Sequence, residues 1–111
     1  MKRTVTGIFA AALAMSATAA LAQAKPPLKL GGILDMSGLY ADITGAGSEA
    51  AAKMAVEDFG AAKKGIKVEI LSADHLNKPD VGSNVARQWY DVDKVDVIVD
   101  VPNSGVALAV N

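Results

Sequence analysis

The sequence contains no cysteine and a single histidine, His75. Without cysteine the chain forms no disulfide, offers no thiol nucleophile or thiolate ligand for zinc, and cannot carry a lipid on a cysteine after processing. One imidazole alone makes no recognisable zinc set. Excess positive charge is missing too: 11 Lys and Arg stand against 12 Asp and Glu, a formal net charge of −1. Setting aside Lys2 and Arg3, the balance is 9 − 12 = −3, which argues against nucleic acid or an anionic membrane surface as partner. No repeat, heptad pattern or low-complexity tract points to a structural module.

What is present begins with a secretory pattern. Lys2 and Arg3 precede an uncharged run over residues 4–24, and Ala20-Leu21-Ala22 or Ala22-Gln23-Ala24 supplies the small-x-small signature of signal-peptidase cleavage. Residues 1–24 are therefore predicted to be a cleaved secretory signal, which makes the remainder periplasmic. The alternative is an uncleaved anchor, since a span needs roughly 20 residues. A run made mostly of Ala, Ser and Thr inserts weakly, which favours cleavage.

Beyond the signal, the periodicity alternates. Residues 28–34 (LKLGGIL) read as a strand, with Gly31 and Gly32 leaving room for something to pack close. Over residues 47–59, Ala52, Ala55, Val56 and Phe59 share one helical face, and Glu49, Lys53 and Glu57 form a charge ladder on the opposite one. Residues 66–71 alternate as a half-buried strand. Pro79 and Asp80 open a second helix, in which Val81, Val85 and Trp89 make a stripe. Residues 95–101 (VDVIVDV) form a third strand, apolar enough to be central in a parallel sheet, and a further helix starts behind it. The fold class is therefore α/β, a parallel βαβαβ(α) layer with right-handed crossovers.

In open α/β sheets, ligands sit beyond the carboxyl ends of the strands, where the βα loops converge. Three such loops are expected, over residues 35–44, 74–79 and 102–105. The last carries Asn103, Ser104 and Gly105 at a helix start, where free N–H groups and hydroxyl or amide side chains suit a carboxylate. The same residues also suit a plain helix cap. The first loop is long for a βα connection, whose usual length is about 2–6 residues. It carries Tyr40, a ring that either covers a ligand or packs over the sheet edge, and Asp42, a carboxylate that either accepts from a ligand or is solvated. His75, beside Asp74, is a weaker candidate for donating to a ligand carboxylate.

The succession LKLGGILDMSGLYADITG, AAAKMAVEDF, IKVEILSADHLNKPD and VDVIVDVPNSG resembles the start of the substrate-binding proteins of ABC transporters, in the leucine/isoleucine/valine-binding group. The resemblance implies that residues 25–111 are the N-terminal, incomplete portion of the first of two α/β lobes joined by a hinge. It implies an extracytoplasmic, non-enzymatic protein without cofactor that binds an amino acid or another small carboxylate and delivers it to a membrane permease. On this reading Asn103 and Ser104 meet the ligand carboxylate, and the first loop from Tyr40 to Thr44 covers its side chain. Leu39 stands where a proline is common, and Asp100 where a small residue is common. Both departures turn expectation away from branched-chain ligands, and Tyr40 suits a planar aromatic acid. A lone lobe portion is expected to bind poorly, because one wall of a cleft cannot desolvate its ligand.

A dinucleotide-binding enzyme is the competing expectation. Gly45-Ala46-Gly47-Ser48-Glu49-Ala50 matches G-x-G-x-x-A, and Asp74 stands near a ribose-binding position. The glycines, however, come ten residues after the predicted strand and not directly behind it. A hydrolase elbow is excluded, because Pro102-Asn103-Ser104-Gly105-Val106 lacks the glycines of G-x-S-x-G.

Overall fold

A computed structural model describes residues 24–111. The predicted signal peptide lies, but for Ala24, outside the described residues. Strand β1 (Leu28–Leu34) is followed by a one-turn helix α1 (Ala41–Thr44) and by α2 (Ala46–Phe59). Strand β2 (Val68–Asp74), α3 (Pro79–Gln88), β3 (Val97–Asp100) and α4 (Ser104–Val110) complete the order. Two crossovers connect three parallel strands in the order β2-β1-β3. The α/β layer expected from the sequence is thus present.

Register sets the strand limits. β1 pairs with β2 from Leu28 opposite Val68 to Leu34 opposite Asp74, so β2 starts and ends later than the predicted 66–71. Ile66 instead donates its N–H to the Ala61 carbonyl and closes the turn ahead of the strand. β3 is shorter than the predicted 95–101 because the Val95 N–H donates to Trp89 O, ending a π-helical turn (Trp89–Asp93). Gly31 pairs with Ile98 and Gly32 with Asp100, so Val99 is the extra residue of a bulge.

The core lies between the sheet and α3 with α4: Ile33, Ala86, Trp89, Val95 and Val106 are buried together, flanked by Leu71, Ala73, Val85, Ile98 and Val101. Trp89 lies on Gly31, whose Cβ, if present, would stand 2.3 Å from Cζ3 of the ring. The room that the sequence left at this glycine is therefore filled by the end of the predicted α3 stripe. Within α3 itself, Gly82, Ser83 and Ala86 are buried more deeply than Val81 and Val85. Small residues occupy the contact because α4 packs closely there.

The other face carries α2. Its apolar residues Ala52, Ala55, Val56 and Phe59 border an open groove of about 540 Å³ with Leu28, Leu30 and Ile70, and none of them is fully buried. The predicted charge ladder is half realised: Lys53 pairs with Glu49, and Glu49 also accepts from the Ser72 hydroxyl of β2. Glu49 therefore faces the sheet edge, a correction to its placement opposite the apolar face. Among the described residues no helix is long and apolar enough to cross a membrane.

Candidate functional site

All three strands run parallel, so their carboxyl ends meet at one end of the sheet. There a cleft of about 330 Å³ is lined by Asp35, Tyr40, Thr44, His75, Pro102, Asn103, Ser104 and Gly105. Every βα loop contributes to it. Of the candidates read from the sequence, Tyr40, Thr44, His75, Asn103, Ser104 and Gly105 come together here. Asp42 is exposed on α1 and is not among the lining residues.

The first loop is built around Asp35, a residue that sequence reasoning passed over. It is 1% exposed. Its carboxylate accepts from the Gly38 N–H at 2.7 Å, the Tyr40 N–H at 2.9 Å and the Asn77 Nδ2 at 2.8 Å. The Tyr40 N–H does most to hold this carboxyl below the ordinary aspartate value. Burial opposes it, while the Asn77 amide and the Gly38 N–H add to the lowering. The signal was available: an aspartate at a strand end with glycine three residues later is a turn in which the side chain takes up backbone N–H groups. The turn leads into α1, where the Tyr40 carbonyl accepts from Ile43 and Thr44.

The second loop is anchored by Asp74. Its carboxylate accepts from the Ser37 hydroxyl and from the Met36 and Leu76 N–H groups. Burial is the largest influence and raises its pKa. The three donors outweigh that and the adjacent Asp35 charge, so the net effect is a lowering. Leu76 and Asn77 have φ of 52° and 56°, so the chain turns through two consecutive left-handed residues. His75 is fully buried, and its Nδ1 accepts the Asn77 N–H at 2.9 Å, which leaves the ring proton on Nε2. Nε2 has no hydrogen-bond partner among the described residues.

At the third loop, the Asn103 Oδ1 accepts the Val106 N–H at 3.0 Å and so caps α4. The capping reading of Asn103 is therefore realised. Ser104 and Gly105 begin the helix and line the cleft.

The glycine run of the competing dinucleotide reading sits elsewhere. Gly45 lies behind α1, where a Cβ would stand 2.6 Å from the Ala41 carbonyl oxygen and 2.8 Å from that of Asp35. Close passage of the loop over its own backbone accounts for this glycine, and no phosphate is needed to explain it. Among the described residues there is no group of three or more His, Asp or Glu able to hold a metal ion.

The parallel α/β layer agrees with the comparisons. The family model described as Periplasmic binding protein matches residues 27–111. The chain belongs to the periplasmic binding protein family. Among solved members, it is 48% identical to a periplasmic binding protein from Burkholderia mallei, with a TM-score of 0.69 over 75% of this chain and 22% of that one. It is 49% identical to a branched chain amino acid ABC transporter periplasmic ligand-binding protein from Burkholderia xenovorans LB400, also with a TM-score of 0.69, over 75% of this chain and 22% of the other. A solute-binding protein of an ABC transporter from R. palustris, solved in complex with benzoate, is 27% identical, with a TM-score of 0.66 over 77% of this chain and 23% of that one. No curated protein matches the chain. The chain thus spans about a fifth of the length of these solved periplasmic binding proteins.

Proposed function

We propose that this chain supplies one wall of the solute site in an extracytoplasmic binding component of an ABC importer, serving an amino acid or another small carboxylate such as an aromatic acid. The observation that carries the reading is the convergence of all three βα loops on one cleft, in a chain of the periplasmic binding protein family. Ser104 and the N–H groups beside it receive the carboxylate, Asn103 positions them through its cap, and Tyr40 with Thr44 covers the rest of the solute. His75 offers its Nε2–H from the floor. Asp42, on the exposed face of α1, takes a lesser part at the rim.

The protein acts by binding and closing, without catalysis or cofactor. Residues 25–111 belong to its first lobe, residues 1–24 are removed on export, and the loaded protein docks on a membrane permease. The relatives whose names mention branched-chain amino acids and benzoate support a small carboxylate as the solute class. Tyr40, 47% exposed at the cleft mouth, supports a planar solute within that class.

The test is titration calorimetry on the full-length protein with leucine and with benzoate. Replacing Ser104 by Ala is expected to weaken carboxylate binding by about 1–3 kcal/mol, the cost of a lost buried partner. Unchanged affinity removes Ser104 from the site, and failure of the wild-type protein to bind either compound overturns the solute class.

A further inference from the structure

Asn77 does not line the cleft, yet its side chain joins the three loops that do. Its Nδ2 donates to Asp35 of the first loop at 2.8 Å, and its Oδ1 accepts from the Asn103 Nδ2 of the third loop at 3.1 Å. Its own N–H donates to the His75 Nδ1 at 2.9 Å. The orientation of this relay is fixed at both ends by groups that cannot be reversed. A carboxylate only accepts, so Asn77 must present its NH₂ to Asp35. The backbone N–H of Val106 only donates, so Asn103 must present its oxygen there and its NH₂ to Asn77. The Asn77 amide satisfies both demands in one orientation.

Backbone conformation narrows the choice further. At φ of 56°, residue 77 occupies the left-handed region, where asparagine and aspartate are the side chains best tolerated after glycine. Aspartate would turn an acceptor oxygen toward Asp35, and glycine would reach neither neighbour. We infer that Asn77 is a positioning residue of the cleft: through Asp35 it fixes the loop that carries Tyr40, and through Asn103 it fixes the start of α4 that carries Ser104. The cleft wall is thereby assembled before any solute arrives, which lowers the ordering cost of binding.

This inference rests on the loops alone. Its test contains no solute, so it stands or falls separately from the proposed function. The experiment is residue-resolved amide exchange by NMR on the full-length protein without solute. It compares wild type with Asn77→Gly, which keeps the backbone conformation accessible, and Asn77→Asp. In Asn77→Gly, protection of the Gly38, Tyr40 and Val106 amides is expected to fall roughly five- to tenfold, the worth of one net hydrogen bond, while the β1 amides keep theirs. Asn77→Asp sets a carboxylate against Asp35, with Asp74 and His75 as the other titratable neighbours. Its loop protection, relative to wild type at the same pH, is expected to be lost at pH 7 and regained near pH 4, where the pair shares a proton. Wild-type protection of these amides in Asn77→Gly overturns the inference. So does a loss that runs in step with the β1 amides, or an Asn77→Asp deficit equal at both pH values.

Discussion

At the scale of single residues, two contacts leave no slack. Trp89 is 7% exposed and its ring lies on the backbone of Gly31, so the position tolerates no side chain. Replacing Gly31 by Ala forces the indole or β1 to move, and the expected cost is about 1–3 kcal/mol, typical of overpacking a core. Urea denaturation checks it: the midpoint falls while the slope, which follows the surface exposed on unfolding, is retained. An unchanged midpoint would show that the ring has another place to go. Asp35 is the second tight contact, since its carboxylate serves Gly38, Tyr40 and Asn77 at once. The Trp89–Gly31 contact and the Asp35–Asn77 bond join residues far apart in the chain, and only the first was foreshadowed, by the paired glycines of β1.

At the scale of elements, α4 has seven residues and too few turns to hold itself, so its start must be stabilised from outside. The Asn103 cap does this. Replacing Asn103 by Ala is expected to cost about 0.5–2 kcal/mol, the usual loss for a cap, whereas Ser keeps most of the cap but is too short for Asn77. Thermal unfolding of the two variants separates these roles: Ser near wild type in stability and Ala well below. The elements were largely legible in the sequence, because the short apolar run of β1 and the helical stripe of α3 survive into the fold. Their ends were not, because β2 takes its limits from register with β1, and Val95 donates its N–H back to the Trp89 carbonyl at the end of a π-helical turn and is lost to β3. The site was legible to the extent that strand ends mark it: Tyr40, Thr44, His75, Asn103, Ser104 and Gly105 meet in the cleft. Asn77 escaped notice because its bonds run between loops, which no local pattern encodes, whereas for Asp35 the local turn with Gly38 was readable but its bond to Asn77 was not.

At the scale of the whole described unit, three carboxylates tie its elements together. Asp35 joins the first and second loops, Asp74 joins β2 to the Ser37 turn, and Glu49 joins α2 to β2 through Ser72. All three are held below their ordinary pKa: Asp35 first by the Tyr40 N–H, Glu49 first by Lys53, and Asp74 by donors that outweigh its burial. Unfolded, such groups titrate at about 3.9 for Asp and 4.3 for Glu. As pH falls, the unfolded chain takes up these protons before the folded one does, so stability declines with acidity. The contribution is complete above about pH 5 and drains away through pH 4 toward the lower folded values. Urea midpoints at pH 7, 5 and 3 are therefore expected to be similar for the first two and clearly lower for the third. Asp35→Asn removes one of the linked groups, so it is expected to be less stable than wild type at pH 7 yet to lose less between pH 5 and 3. A wild-type midpoint that stays level down to pH 3 would mean that these carboxylates do not hold the loops and helix to the sheet in solution. The cleft would then owe its shape to packing alone.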